Sequence, residues 1–184
     1  MGDFRIGTKA VFTQSGADEP VLASTVTGVS LYSSIAVICE QQTADTQGGT
    51  FTSGAWRTRT LNHEITDADS IVTLSSNQFT LINGTYTIEW LAPALRCGRH
   101  VSKLVETQTP TDAGIAQAMM VNVNDSNSSS PSHGFAVVTV SSGSNNVFEI
   151  QHQCSDTRNT YGLGHYSGYA VERYTQVKIL KHRN

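Results

Sequence analysis

Charge is scarce in this chain. Charged residues make up 15% of the 184 positions, against a usual quarter. Twenty Ser, 22 Thr and 15 Gly fill the space, while hydrophobic content holds at 38%. An intrinsically disordered chain needs charge excess or apolar poverty, and neither is found here. A helical bundle wants Glu, Lys and Ala on its surfaces, so that class recedes too. With 12 Lys and Arg against 15 Asp and Glu, there is no basic footprint for a nucleic acid. No run approaches the roughly 18 apolar residues that cross a bilayer, so membrane insertion is not expected. A β-rich, neutral-surfaced domain of ordinary size remains.

Cysteine is scarce as well, and odd in number: Cys39, Cys97 and Cys154. The opening Met1-Gly-Asp-Phe-Arg-Ile6 has no apolar signal-peptide core. The expectation is synthesis in a reducing cytoplasm with free, mostly buried thiols.

Two regions differ along the chain. Residues 1–30 hold two short apolar pieces, Val11-Phe12 and Val21-Leu22, around the turn-rich stretch Thr13 to Pro20. They read as an extended arm whose anchors are Val11, Phe12, Val21 and Leu22, with a frayed terminus as the alternative. Residues 31–184 read as a string of nine or ten short strands. Ile35 to Cys39 is a continuous apolar run suited to a core strand. Tyr86-Thr-Ile-Glu-Trp90 alternates with period two, which places Tyr86, Ile88 and Trp90 on one buried face. Trp56 to Leu61 alternates as well. Ser142 to Asn146 reads as a hairpin connection, and Asp125 to Ser132 as a polar loop. Residues 111–120 are the one place for a helical turn, weakened by Gly114. Strand spacing of about ten residues predicts an antiparallel β-sandwich of the jelly-roll kind.

Catalytic patterns are missing. Gly162-Leu-Gly164 opens no helix, and no Gly-x-Ser-x-Gly elbow occurs. Asp67 and Asp69 suit turn chemistry. His152 and Cys154 share a strand face, with His63, His100 and His165 as conceivable companions. One loose pair is no zinc signature, so no metal and no cofactor is expected, and no enzyme. Binding has better material: Tyr161, His165, Tyr166 and Tyr169 lie in a Gly-rich stretch, where aromatics supply contact area at low entropic cost. Subunit packing is favoured over ligand contact for them.

Residues 79–88 read Phe79-Thr-Leu-Ile-Asn-Gly84-Thr-Tyr86-Thr-Ile88. The segment resembles the Phe-x4-Gly-x-Tyr-x-Phe signature of the trimeric jelly roll shared by tumour-necrosis-factor-like domains and complement-type globular heads, with Ile88 replacing the final Phe. Gly49 to Asn62, Phe148 to Cys154 and Tyr174 to Ile179 look like the knob domain of bacteriophage structural and tail-fibre proteins, over about residues 33–182. Val11 to Leu22 is similar to the N-termini of small virion proteins of marine phages. The resemblance implies a homotrimer whose arm docks on other virion proteins of the capsid or tail, made in a bacterial cytoplasm and carried on the particle surface. It would stabilise the particle or attach it to the host. The alternative is a lectin-like tail-fibre tip, contacting host glycan or protein through Asp125 to Ser132 or Tyr161 to Tyr169.

Overall fold

The computed structural model describes residues 4–6, 9–13, 21–22, 31–126, 128–141 and 146–183. The chain divides into two units, Met1–Leu31 with Arg183, and Tyr32–His182 with Asn184. In the first, β1 (Phe4–Ile6), β2 (Lys9–Thr13) and β3 (Val21–Leu22) form an antiparallel sheet in that order. The segment expected as an extended arm thus contains a small paired sheet. Phe12 of β2 stands opposite Leu22 of β3, and the turn-rich stretch after Thr13 lies outside the described residues.

The second unit is a sandwich of two antiparallel sheets. One contains β4 (Tyr32–Gln42), β6 (His63–Thr66), β9 (Gly84–Leu95), β13 (Ser129–Val140) and β15 (Glu172–His182), in the order β13-β9-β15-β4-β6. The other is built on β7 (Val72–Ser75), β8 (Gln78–Leu81), β10 (Gly98–Glu106), β11 (Thr111–Ile115) and β14 (Val147–Cys154), in the order β11-β10-β14-β8-β7. To it β12 (Met119–Val121) adds on β10, and β5 (Arg57–Thr58) on β14. Among the described residues there is no helix long and apolar enough to cross a membrane.

Three local expectations change. Residues 111–120 hold β11 and β12 instead of a helical turn, because both pair with β10 and Gly114 suits a strand opposite Leu104 better than a helix interior. The polar loop is shorter than expected: from Ser129 onward it belongs to β13. That strand lies at a sheet edge, where Pro131 removes no needed hydrogen bond. The Trp56 to Leu61 alternation yields only β5 before the chain turns inward. The Ser142 hairpin, apart from Asn146, lies outside the described residues.

Period-two alternation builds the core. Tyr86, Ile88, Trp90 and Ala92 of β9 are buried, and meet Phe79, Phe148, Ile150, Leu104, Val177 and Ile179. Burying each such side chain contributes roughly 1.5–3 kcal/mol. The Phe79 and Phe148 rings stack across neighbouring strands, centroids 5.8 Å apart. The Tyr86 hydroxyl donates to the Ile82 carbonyl at 2.7 Å, which brings the polar tip back to the turn before the strand. Gly84 enters β9 at φ 152°, and a Cβ there would lie 2.7 Å from Lys181 Cε.

Trp90 is fully buried, and its indole needs both a hydrogen-bond acceptor and room. Nε1 donates to Ser102 Oγ at 2.9 Å. That hydroxyl donates to Ser132 Oγ at 3.0 Å, which donates to the Gln117 carbonyl at 2.9 Å. Room comes from Gly134, directly across from Trp90 on β13. A Cβ on Gly134 would sit 2.2 Å from the indole.

Arg59, fully buried, follows β5. Its amide bonds the Ile150 carbonyl of one sheet at 2.7 Å. Its guanidinium reaches the other sheet, where Nε donates to Thr175 Oγ1 at 2.7 Å and Nη1 to the Pro93 carbonyl at 3.3 Å, and the loop after β14, where Nη2 donates to the Leu163 carbonyl at 2.9 Å. The Glu40 carboxylate lies 3.7 Å away. Burial lowers the guanidinium to about 10, so it is still charged at neutral pH.

Replacing Gly134 by Ala forces the indole out of this arrangement. Overpacking of this kind costs about 1–3 kcal/mol. Chemical denaturation should show that loss, together with a changed Trp fluorescence maximum in the folded state; a variant as stable as the parent would contradict the packing described.

Candidate functional site

The outward positions of the β13-β9-β15-β4-β6 sheet follow from the same alternation that fills the core. Register sets them in rows. Phe135, Glu89, Lys178 and Val37 are cross-strand partners in one row; Val137, Thr87, Leu180 and Ile35 form the next. A third carries His133, Leu91 and Gln176. Phe135 is 71% exposed and Val137 59%, with Ile35 and Leu91 also open to solvent. Single exposed apolar residues are ordinary; rows of them are not.

Two polar pairs on this face are satisfied within it. Lys178 Nζ meets Glu89 Oε2 at 2.8 Å. Thr87 Oγ1 and His182 Nε2 are 2.8 Å apart. A shallow groove of about 240 Å³ runs between Val37, Glu89, Leu91, His133 and Lys178. It is continuous through Leu91 and Gln176 with a larger groove of about 500 Å³, walled by Pro93, Pro131, His165, Val171 and Tyr174.

That second groove brings in the aromatic loop. Tyr161 is half-buried under the Arg158 guanidinium, 4.6 Å from its ring, and its hydroxyl takes a hydrogen bond from Arg158 Nη2. His165 stands 5.9 Å from the Tyr161 ring and 4.8 Å from Tyr166. Tyr161, His165 and Tyr166 are therefore one ladder of rings, while Tyr169 stands apart from it at 95% exposure. The loop is latched by Glu172, whose carboxylate accepts from Ser167 N and Gly168 N at 2.8 Å each, Ser167 Oγ at 3.1 Å and Asp45 N at 3.3 Å. The Ser167 and Gly168 amides hold the carboxyl below its ordinary range. The latch was not legible in the sequence, since an acidic residue after a Gly-Tyr-Ala-Val stretch has no distinctive spacing.

The remaining candidates fall elsewhere. Phe79, Tyr86 and Ile88 lie in the core, and Gly84 at the strand entry. Val11, Phe12, Val21 and Leu22 belong to β2 and β3 of the first unit. His152 and Cys154 are both buried, and His152 Nε2 pairs with His100 Nδ1 at 3.0 Å. His100 Nε2 continues to Ser130 Oγ at 3.1 Å, and Phe51 packs on the His152 ring at 4.6 Å. His63 is on β6 and His165 in the loop, so they do not complete a ligand set with this pair. Among the described residues no three His, Cys, Asp or Glu side chains gather as metal ligands. The three cysteines are free and buried.

No family model matches this chain, and no curated protein matches its sequence. Solved structures do match its fold. Murine APRIL aligns over 80% of this chain and 98% of that one, with 6% identity and a TM-score of 0.52. Eiger TNF from S. frugiperda aligns over 82% and 92%, with 10% identity and a TM-score of 0.51. The PRD1 vertex protein P5 aligns over 83% and 99%, with 11% identity and a TM-score of 0.48. The fold is a TNF-like jelly-roll sandwich.

The histidine pair gives a pH prediction. Burial first, then the Arg59 charge, lowers His100 to about 4 and His152 to about 2, with His100 adding to the shift of His152. Unfolded histidines protonate near 6.5. Stability from keeping these rings neutral is thus complete above pH 6.5 and is lost as pH falls from there towards 4. The thermal midpoint should be level from pH 8 to 7 and decline below 6.5. By NMR, the ring signals of His100 and His152 should not titrate between pH 8 and 5; titration of either near 6.5 would contradict their burial.

Proposed function

We propose that the protein is a non-enzymatic bacteriophage virion component, a homotrimeric knob joined to the capsid or tail through residues 1–30. The observation that carries this reading is the apolar outer face of the β13-β9-β15-β4-β6 sheet. Packed around a threefold axis, the two rows through Phe135 and Val137 become the centre of an interface. The Glu89–Lys178 pair neutralises itself within one subunit, so burial leaves no charge unpaired. A cyclic arrangement also closes, which limits the assembly to a defined size. The low charged fraction fits a surface largely given over to partners.

The virion assignment draws on the sequence resemblance of residues 33–182 to phage knob domains and of Val11 to Leu22 to small virion proteins. The particle-bound role is supported by the first unit, which carries its own three-stranded sheet. A second reading, contact with a host glycan or protein at the knob surface, is favoured by Tyr169, presented at 95% exposure on a latched loop.

Light scattering on the purified chain should give three times the 19.8 kDa subunit mass, and Phe135→Glu should shift the species to monomer without unfolding it. A wild-type monomer would overturn the trimer. Deletion of residues 1–30 should keep the trimer and abolish incorporation into particles; truncated protein recovered on virions would remove the anchoring role. On a glycan array, a signal lost in Tyr169→Ala would support the receptor reading, and no signal at high protein concentration would count against a glycan.

A further inference from the structure

Two of the three thiols are neighbours. Cys97 lies in the turn between β9 and β10, and Cys154 ends β14. The backbones are tied there: Asp156 N donates to the Cys97 carbonyl at 3.1 Å and Ser155 N to the Arg99 carbonyl at 2.9 Å. Both side chains enter one small cluster with Phe51, Ala94 and Val121. The two thiols perturb one another, and Cys154 Sγ donates to the Asp156 carbonyl at 3.4 Å. Cys39 sits on β4, in the opposite sheet.

The two sulfurs differ in access and in acidity. Cys97 is fully buried. Cys154 is 5% exposed and lines an open cavity of about 610 Å³ rimmed by Arg99, Met119, Met120 and Ser155. The neighbouring Cys97 lowers Cys154, while Cys154 and burial raise Cys97. Cys154 is the more accessible of the two, and the Arg99 cation at the rim of its cavity suits approach of a small anionic disulfide.

We propose that Cys154 and Cys97 form a redox pair that closes to an intramolecular disulfide when the protein meets an oxidised low-molecular-weight thiol. The Cys154 thiolate attacks one sulfur of that disulfide, forming a mixed disulfide and releasing one small thiol. Cys97 then attacks the Cys154 sulfur and expels the second small thiol, which leaves as a thiolate and takes up the Cys97 proton. Both protein thiols are oxidised and one small disulfide is reduced to two thiols. The product staples the β9–β10 turn to the end of β14. The inference stands independently of any virion role.

The test uses the full chain, reduced and then incubated with glutathione disulfide at neutral pH. Free thiols are alkylated in denaturant before peptide mapping. Cys39 alone should be alkylated, with the Cys97 and Cys154 peptides linked. The thermal midpoint should rise by about 10 °C, as expected for closing a loop of this length. In Cys97→Ser a glutathione adduct should accumulate on Cys154; in Cys154→Ser none should form on Cys97. Alkylation of all three thiols after prolonged incubation, or a link involving Cys39, would overturn the proposal. Adducts on Cys97 in Cys154→Ser would overturn the order of attack.

Discussion

One buried cation holds this sandwich in register. Arg59 has no water to solvate it, so each guanidinium edge must find a protein acceptor, and the acceptors available are scattered. They come from β9, β15 and the aromatic loop, while the Arg59 backbone is bound to β14 of the facing sheet. Sliding one sheet against the other would break several of these bonds at once. Truncating such a group strands a partner, here Glu40, and breaking a buried pair costs about 3–5 kcal/mol. The same charge helps keep His100 and His152 neutral. Hydrophobic burial supplies the bulk of the folding energy, but a greasy interface tolerates slip. Arg59 does not.

The outer face of the five-stranded sheet inherits its order from that registration. Its rows exist because β13, β9, β15 and β4 pair without a bulge through Phe135, Glu89, Lys178 and Val37. A shift of one residue in any strand would turn its core set outward. The core and the candidate interface are therefore two readings of one alternation.

Much of this was legible in the chain. Tyr86 to Trp90 announced a half-buried strand through its period of two, and the resemblance of Phe79 to Ile88 to a known signature pointed to the jelly-roll class. What escaped was non-local. Arg59 lies in a short alternating stretch, and nothing nearby states that its partners are Pro93, Leu163 and Thr175. The grouping of Tyr161, His165 and Tyr166 into a ladder, with Tyr169 apart, depends on Arg158 and Glu172 side chains whose orientation no spacing gives. Residues 111–120 misled for the opposite reason: their sequence is permissive, and pairing with β10 decided the outcome.

The Glu172 latch has a consequence for variation. Of its four hydrogen bonds, three come from main-chain amides and one from Ser167. A clasp that grips the backbone is indifferent to the side chains displayed beyond it. Positions 169 and 170, both exposed, are free to change identity while the loop keeps its shape. The fold thus separates the geometry of this tip from its chemistry, so new binding preferences could be sampled there by point substitution without disturbing the scaffold beneath.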